Sequence, residues 1–121
     1  MSLMVLALVD DLMFRSKIKS TATKIGVGVA FAASRESALA AMKQDVPVLV
    51  ILDLNNPRTD PLGTVAAMKQ DERLASVRIV GFVSHVDVTT IDAARAAGVD
   101  EILARSAFAM KLPDLLTSPE T

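Results

Sequence analysis

Three aspartates and one arginine lie at the ends of apolar segments in this 121-residue chain. Asp10 and Asp11 follow the first apolar run, Asp53 ends the third, and Arg105 follows the last. Carboxylates held close together repel one another, and such a set of oxygens suits Mg²⁺. A divalent cation, a carboxylate nucleophile and a fixed positive charge are the parts needed to move a phosphoryl group onto an aspartate.

A simpler interpretation exists for each aspartate taken alone. An Asp that follows a strand commonly caps the next helix, because its carboxylate accepts hydrogen bonds from free backbone N–H groups there. That interpretation weakens when three carboxylates follow two strands whose ends the fold brings together. Whether the three carboxylates meet depends on the elements that position them.

Short apolar segments rich in Val, Ile and Leu alternate with amphipathic segments along the chain. The apolar segments predict strands over residues 3–9, 27–31, 46–52, 79–83 and 102–104. The others predict helices over residues 11–25, 34–43, 60–71, 87–97 and 107–116, with Pro113 inside the last. This order predicts an α/β fold, a doubly wound five-stranded parallel sheet with helices on both faces. In such folds, ligands bind beyond the carboxyl ends of the strands.

Composition excludes several classes of function. Cys, Tyr and Trp are absent, so the chain has no disulfides, no zinc–thiolate site and few rings on which nucleic-acid bases could stack. The formal charge of −1 lacks the basic excess of a nucleic-acid binder. No apolar run approaches the roughly 20 residues that span a membrane, and no signal peptide is evident. We therefore expect a cytoplasmic protein with neither nucleic acid nor membrane as a partner.

An enzyme of the hydrolase or nucleotide-binding type is disfavoured, since no glycine-rich phosphate loop follows a strand. The single histidine, His85, follows the fourth predicted strand, and we expect it to be an exposed loop residue rather than part of the site.

Two stretches of the sequence resemble the receiver domain of response regulators, the aspartate-phosphorylated half of two-component signalling. One is the acid pair after the first strand, and the other is the stretch in which Pro57 and Asp60 follow Asp53 at the family's spacing. The segment around Gly98 also resembles the one that precedes the family's fifth strand. The resemblance covers residues 3–116 and implies a flavodoxin-like (βα)₅ fold, with residues 117–121 as a flexible tail.

The resemblance also implies roles for particular residues and partners. Asp53 would be the phosphoacceptor, and Mg²⁺ would be held by Asp10, Asp11, Asp53 and the backbone carbonyl of Asn55. A histidine kinase or phosphotransfer protein would dock on the first helix, where Arg15 is a candidate contact. A downstream protein partner would bind the face made by helix four, strand five and helix five, which could also support a homodimer. This is the pattern of a signalling module rather than an enzyme.

Departures from the family pattern affect the residues that read phosphorylation out. Val83 stands where the family has a Thr or Ser hydroxyl, with Ser84 beside it, and Ile102 replaces an aromatic residue. Arg105 replaces a lysine, so it could bind the phosphoryl group or pair with Asp53. Ser106 stands where the family has a proline, and in the family the peptide bond between the lysine and this proline is cis. A non-proline cis bond costs about 2.5–4 kcal/mol, so the 105–106 peptide is predicted to be trans.

Two functions therefore remain open. The first is a receiver that is phosphorylated on Asp53 and has an altered switch. The second is a pseudo-receiver, a protein-binding module that acts independently of phosphate and whose site is closed by Arg105.

Two further departures from the family pattern lie after Asp53. Asn56 stands in place of an apolar residue, and Pro61 stands in place of a glycine.

Overall fold

Five parallel strands form one sheet in the order β2-β1-β3-β4-β5 in the computed structural model, which describes residues 4–84 and 87–117. The strands are β1 (Val5–Leu8), β2 (Val29–Ala32), β3 (Leu49–Asp53), β4 (Arg78–Val83) and β5 (Glu101–Ala104). The helices are α1 (Leu12–Ile25), α2 (Arg35–Gln44), α3 (Pro61–Gln70), α4 (Val88–Ala97) and α5 (Arg105–Thr117). A short 3₁₀ turn, Pro57–Thr59, precedes α3. The predicted doubly wound architecture is confirmed.

The boundaries at the last crossover differ from the predicted ones. We expected a loop at residues 105–106 and a helix from residue 107, whereas α5 begins at Arg105, directly after β5. The helix also continues through Pro113, although proline supplies no backbone N–H donor. Burial of Leu112, Leu115 and Leu116 on both sides of Pro113 explains why the helix persists. Thr117 ends this helix, and the rest of the predicted tail lies outside the described residues.

The sheet has a different core on each face. One face packs against α2, α3 and α4 through aliphatic side chains such as Met42, Val65 and Met68. The other packs against α1 and α5, and there Phe14, Phe82 and Phe108 lie in mutual contact, with ring centroids 4.6–5.7 Å apart. The three rings lie beneath the carboxyl edge of the sheet, so they support the residues described next.

Helix capping also fixes this edge of the sheet. Asp11 caps α1, and its carboxylate accepts a hydrogen bond from the Phe14 backbone N–H at 3.1 Å. Asp60 has a φ of 50° and caps α3 by accepting from the Gly63 N–H at 3.1 Å. A Cβ at position 63 would lie 2.2 Å from a carboxylate oxygen of Asp60, so any other residue there would displace the Asp60 side chain from its present position. Within the described part of the chain, no helix combines the length and apolar character needed to cross a bilayer.

Candidate functional site

The three aspartates lie at the same edge of the sheet because β1 and β3 are neighbours. The two strands pair in parallel with Leu8 opposite Leu52, so the residues that follow β1 lie near the end of β3. Asp53 ends β3, the central strand, and its partner on β4 is Phe82. Strand order thus brings together residues that are more than 40 positions apart in sequence.

Asp53 is half-buried and close to other charges. Its Oδ1 accepts a hydrogen bond from the Asn55 backbone N–H at 3.1 Å. Burial raises the pKa of Asp53 above its ordinary value of 3.8, and the negative charges of Asp10 and Asp11 raise it further. The Asn55 N–H and the positive charge of Arg105 act in the opposite direction. The acid pair therefore lies within electrostatic reach of Asp53, as the sequence predicts.

Arg105 forms an ion pair with Asp11, although we had considered Asp53 as its partner. Its Nη2 lies 3.0 Å from Asp11 Oδ2, and its guanidinium lies over the Phe14 ring at 4.4 Å from the centroid. The Phe14 N–H and then Arg105 lower the pKa of Asp11. Arg105 is the first residue of α5, where the helix dipole disfavours a positive charge, so the ion pair offsets an unfavourable position.

Asp10 is held by the segment that follows β3. The Asn56 side-chain amide donates to Asp10 Oδ1 at 2.6 Å, and Arg58 Nη2 lies 3.4 Å from Asp10 Oδ2. The side-chain oxygen of Asn56 in turn accepts from the Arg58 backbone N–H at 3.1 Å. Each acid of the pair therefore has a different arginine as its partner, and all four of their carboxylate oxygens accept a hydrogen bond from the protein.

The donor chemistry of this edge fits a magnesium ion. The candidate ligands Asp10, Asp11, Asp53 and the Asn55 carbonyl are all oxygens, which Mg²⁺ prefers. A cation would also counter the mutual repulsion that raises the pKa of Asp53. Across residues 4–84 and 87–117, however, no three acidic or histidine side chains are arranged to hold a metal ion. Asp10 and Asp11 are instead engaged by Arg58 and Arg105.

At the end of β4, Val83 is buried in the aliphatic core and supplies no hydroxyl. Strand β4 ends there, and the next residue, Ser84, is exposed. The backbone N–H of Ser84 donates to the side-chain oxygen of Asn55. Asn55 thus contacts Asp53 through its backbone and the β4–α4 connection through its side chain.

Other sequence predictions have mixed outcomes. The 105–106 peptide is trans, as predicted, and Ile102 is half-buried against the aliphatic core. Arg15, the candidate docking contact on the first helix, donates from Nε to the Val9 carbonyl, and its guanidinium lies 5.3 Å from the centroid of the Phe31 ring. His85 lies outside the described residues.

Sequence reasoning missed Arg58 and the side-chain contacts of Asn56. Asn56 carried a detectable signal, because a polar residue stands there in place of an apolar one. Arg58 carried none, since an arginine in a polar turn is ordinarily a solvated surface residue. Phe14 lies in the aromatic core, and nothing in the sequence indicates that its ring carries Arg105.

Known proteins share the fold described above. The family model for the response regulator receiver domain matches residues 5–116. No curated protein matches the chain. Among solved structures, the chemotaxis response regulator CheY4 of Vibrio cholerae has 21% identity and a TM-score of 0.83, with 97% of this chain and 98% of that one covered.

Two further solved structures are similar. The phosphorylated cyanobacterial phytochrome response regulator RcpA has 19% identity and a TM-score of 0.80, with 99% of this chain and 92% of that one covered. The Mn²⁺-bound form of the response regulator Rcp1 has 17% identity and a TM-score of 0.78, with 93% and 90% covered. At these identities, the likeness to solved structures shows the shared fold.

Proposed function

The chain belongs to the response-regulator receiver domain family of two-component signalling, and we propose that it accepts a phosphoryl group on Asp53 with the help of Mg²⁺. The observation that carries this proposal is the position of Asp53. It ends the central strand, and the charges of both members of the acid pair act on it. A half-buried carboxylate in this setting remains partly accessible to a phosphodonor and has neighbours that supply oxygen ligands for a cation.

The proposed reaction is a direct transfer to oxygen. A carboxylate oxygen of Asp53 attacks phosphorus, the bond from phosphorus to the donor breaks, and the leaving group takes the electron pair. An imidazole leaving group also takes a proton from water, whereas acetate leaves as the anion. The product is an acyl phosphate on Asp53. The Asn55 N–H already donates to one carboxylate oxygen, which leaves the other oxygen as the proposed nucleophile.

Asp10, Asp11, Asp53 and the Asn55 carbonyl are the proposed ligands of Mg²⁺, which when bound would offset the negative charge of the incoming phosphoryl oxygens. The solved structures of phosphorylated RcpA and Mn²⁺-bound Rcp1 support extending both features to this chain. Arg105 remains a second source of positive charge, and it would need to exchange Asp11 for a phosphoryl oxygen to contact the transferred group.

Receivers of this family interact with kinases or phosphotransfer proteins. We propose a histidine kinase or phosphotransfer protein as the donor, in the cytoplasm, and a protein partner for the output. Val88 on α4 and Met110 on α5 expose 66% and 83% of their surface, which gives the proposed output face apolar contacts.

Intact-mass spectrometry after incubation with acetyl phosphate and Mg²⁺ tests the proposal. We expect one phosphoryl adduct on the wild-type chain and none on Asp53→Asn. Asp92→Asn, an exposed aspartate on α4, is the matched control and should be labelled like the wild type.

The alternative is a pseudo-receiver that binds partners without phosphorylation. The ion pairs on Asp10 and Asp11 favour it, because they satisfy the acid pair without a cation. If the folded wild-type chain gains no adduct while a known receiver is labelled in parallel, phosphorylation of Asp53 is refuted and the alternative is supported.

A further inference from the structure

We propose that Asn56 and Arg58 form a clasp on Asp10 that must open when a divalent cation enters, and that this clasp lowers the cation affinity of the site. The inference rests on the proposed function, since it concerns the same Mg²⁺ site, and it assigns a regulatory role to two residues outside the proposed ligand set. The Asp10 clasp is defined here as the side chains of Asn56 and Arg58 together with their contacts.

The clasp is a closed network of hydrogen bonds. Asn56 Nδ2 donates to Asp10 Oδ1 at 2.6 Å, and Arg58 Nη2 donates to Asp10 Oδ2 at 3.4 Å. The Arg58 backbone N–H donates to Asn56 Oδ1 at 3.1 Å, which fixes the direction of the Asn56 amide. Both oxygens of Asp10 are therefore engaged by residues that lie two positions apart on one turn.

These contacts compete with a cation because they place positive charge against the oxygens that would bind it. An amide N–H₂ group and a guanidinium donate hydrogen bonds and have no lone pair for a metal ion. A divalent cation on Asp10 would also repel the guanidinium of Arg58. Binding of the cation to Asp10 therefore requires that at least one of the two contacts break.

Exposure indicates that the clasp is the part of the site that opens. The Arg58 side chain is 82% exposed, so the guanidinium can exchange Asp10 for water with little loss of packing. The corresponding arginine on Asp11 is Arg105, which is 40% exposed and lies on the Phe14 ring. The clasp is therefore the weaker of the two arginine contacts on the acid pair.

Mn²⁺ titration of the full chain, followed by the electron paramagnetic resonance signal of free Mn²⁺, tests the proposal. We expect Arg58→Ala and Asn56→Ala each to bind Mn²⁺ about two- to fivefold more tightly than the wild type, as for loss of one exposed ion-pair partner. The double variant should gain less than the product of the two, since the residues form one network. Lys24→Ala removes the same charge near the opposite edge of the sheet and should change nothing.

Nuclear magnetic resonance gives a readout that does not depend on affinity. The chain has four side-chain amides, on Asn55, Asn56, Gln44 and Gln70, and the signal that is missing from the Asn56→Ala spectrum is that of Asn56. Addition of Mg²⁺ should move the Asn56 amide signal as its hydrogen bond to Asp10 breaks. An Asn56 signal that stays in place while the Asp53 backbone signal shifts would overturn the clasp.

The outcomes separate the clasp from the metal site itself. If Arg58→Ala and Asn56→Ala bind Mn²⁺ no more tightly than Lys24→Ala, while Asp11→Asn loses binding, the cation site stands and the clasp is refuted. If neither the wild type nor the double variant binds Mn²⁺, the metal site of the proposed function fails, and the clasp fails with it.

Discussion

The acid pair is held by an arginine on each side, and the two sides are built differently. On the α5 side, Arg105 bonds to Asp11 and lies over Phe14, which belongs to the aromatic part of the core. On the loop side, Arg58 bonds to Asp10 from an exposed turn and is 82% exposed. An arginine–aspartate pair therefore packs against an aromatic ring on the α5 side and lies in solvent on the loop side.

The difference shows that the contribution of an ion pair to stability depends on the groups that pack against it. A solvent-exposed pair contributes about 0–1 kcal/mol and is weakened by salt. A guanidinium on an aromatic face gains a further attraction and is held in one orientation. We therefore expect the α5 side to be the stable part of the site and the loop side to be its adjustable part.

The largest effect is expected from removing the Phe14 ring, which lies against the Arg105 guanidinium. Phe14→Ala leaves a cavity between Phe82 and Phe108 and should lower the free energy of unfolding by about 3–5 kcal/mol. Urea unfolding followed by far-ultraviolet circular dichroism measures this, since the chain has no Trp or Tyr for fluorescence. Met13→Ala, at an 83% exposed neighbour, is the control and should change stability by less than about 0.5 kcal/mol.

Phe14→Leu separates the two functions of the ring, because it fills most of the volume but offers no aromatic face. If Phe14→Ala were as stable as the Met13→Ala control, the Phe14 ring would contribute nothing to stability. The proposed difference between the α5 side and the loop side would then be refuted.

A smaller effect should distinguish the two arginines. Arg105→Ala removes the ion pair and the aromatic contact together, and we expect a loss of about 1 kcal/mol. Arg58→Ala removes an exposed pair, and the loss should stay below about 0.5 kcal/mol. Thermal unfolding of both variants in parallel measures the difference, and equal losses would contradict the proposed contrast.

The smallest effect is a dependence of stability on pH. Bonding to the Phe14 N–H, and then to Arg105, lowers the pKa of Asp11 in the folded state. Its ionised form therefore stabilises the fold above its unfolded value of 3.8, and this contribution is lost as the pH falls through the lower folded value. Asp53 has the opposite sign, because burial raises its pKa and the penalty for its charge is relieved as the pH falls.

Thermal midpoints of Asp11→Asn and Asp53→Asn across the acid range test both signs. At neutral pH, Asp11→Asn should be less stable than the wild type and Asp53→Asn more stable. On acidification, the gap for Asp53→Asn should begin to close at a higher pH than the gap for Asp11→Asn. If Asp53→Asn were less stable than the wild type at neutral pH, the claim that the charge of Asp53 destabilises the fold would be refuted.

The sequence was sufficient to predict the sheet, because continuous apolar segments and helical periodicity report burial directly. It predicted the strands, their parallel direction and the edge where the aspartates meet. It did not predict the start of α5, since Arg105 and Ser106 have no strong local preference and packing of Phe108 and Leu112 decides the helix.

The site was less predictable because its side-chain partners depend on geometry between distant segments. Asp53 and the acid pair follow strands and could be identified from the sequence. The choice of Asp11 as the partner of Arg105 depends on how α1 and α5 pack together. The contact of Arg58 with Asp10 depends on the path of a turn 48 residues away, which no local pattern specifies.

Strand β5 and helix α5 join with no residue between them, since Ala104 ends one and Arg105 begins the other. The backbone of Arg105 is therefore fixed by the sheet on one side and by the first helical turn on the other. No connecting residue separates the two elements, so the end of the sheet sets the direction of a helix of 13 residues and presents its first side chain to Asp11.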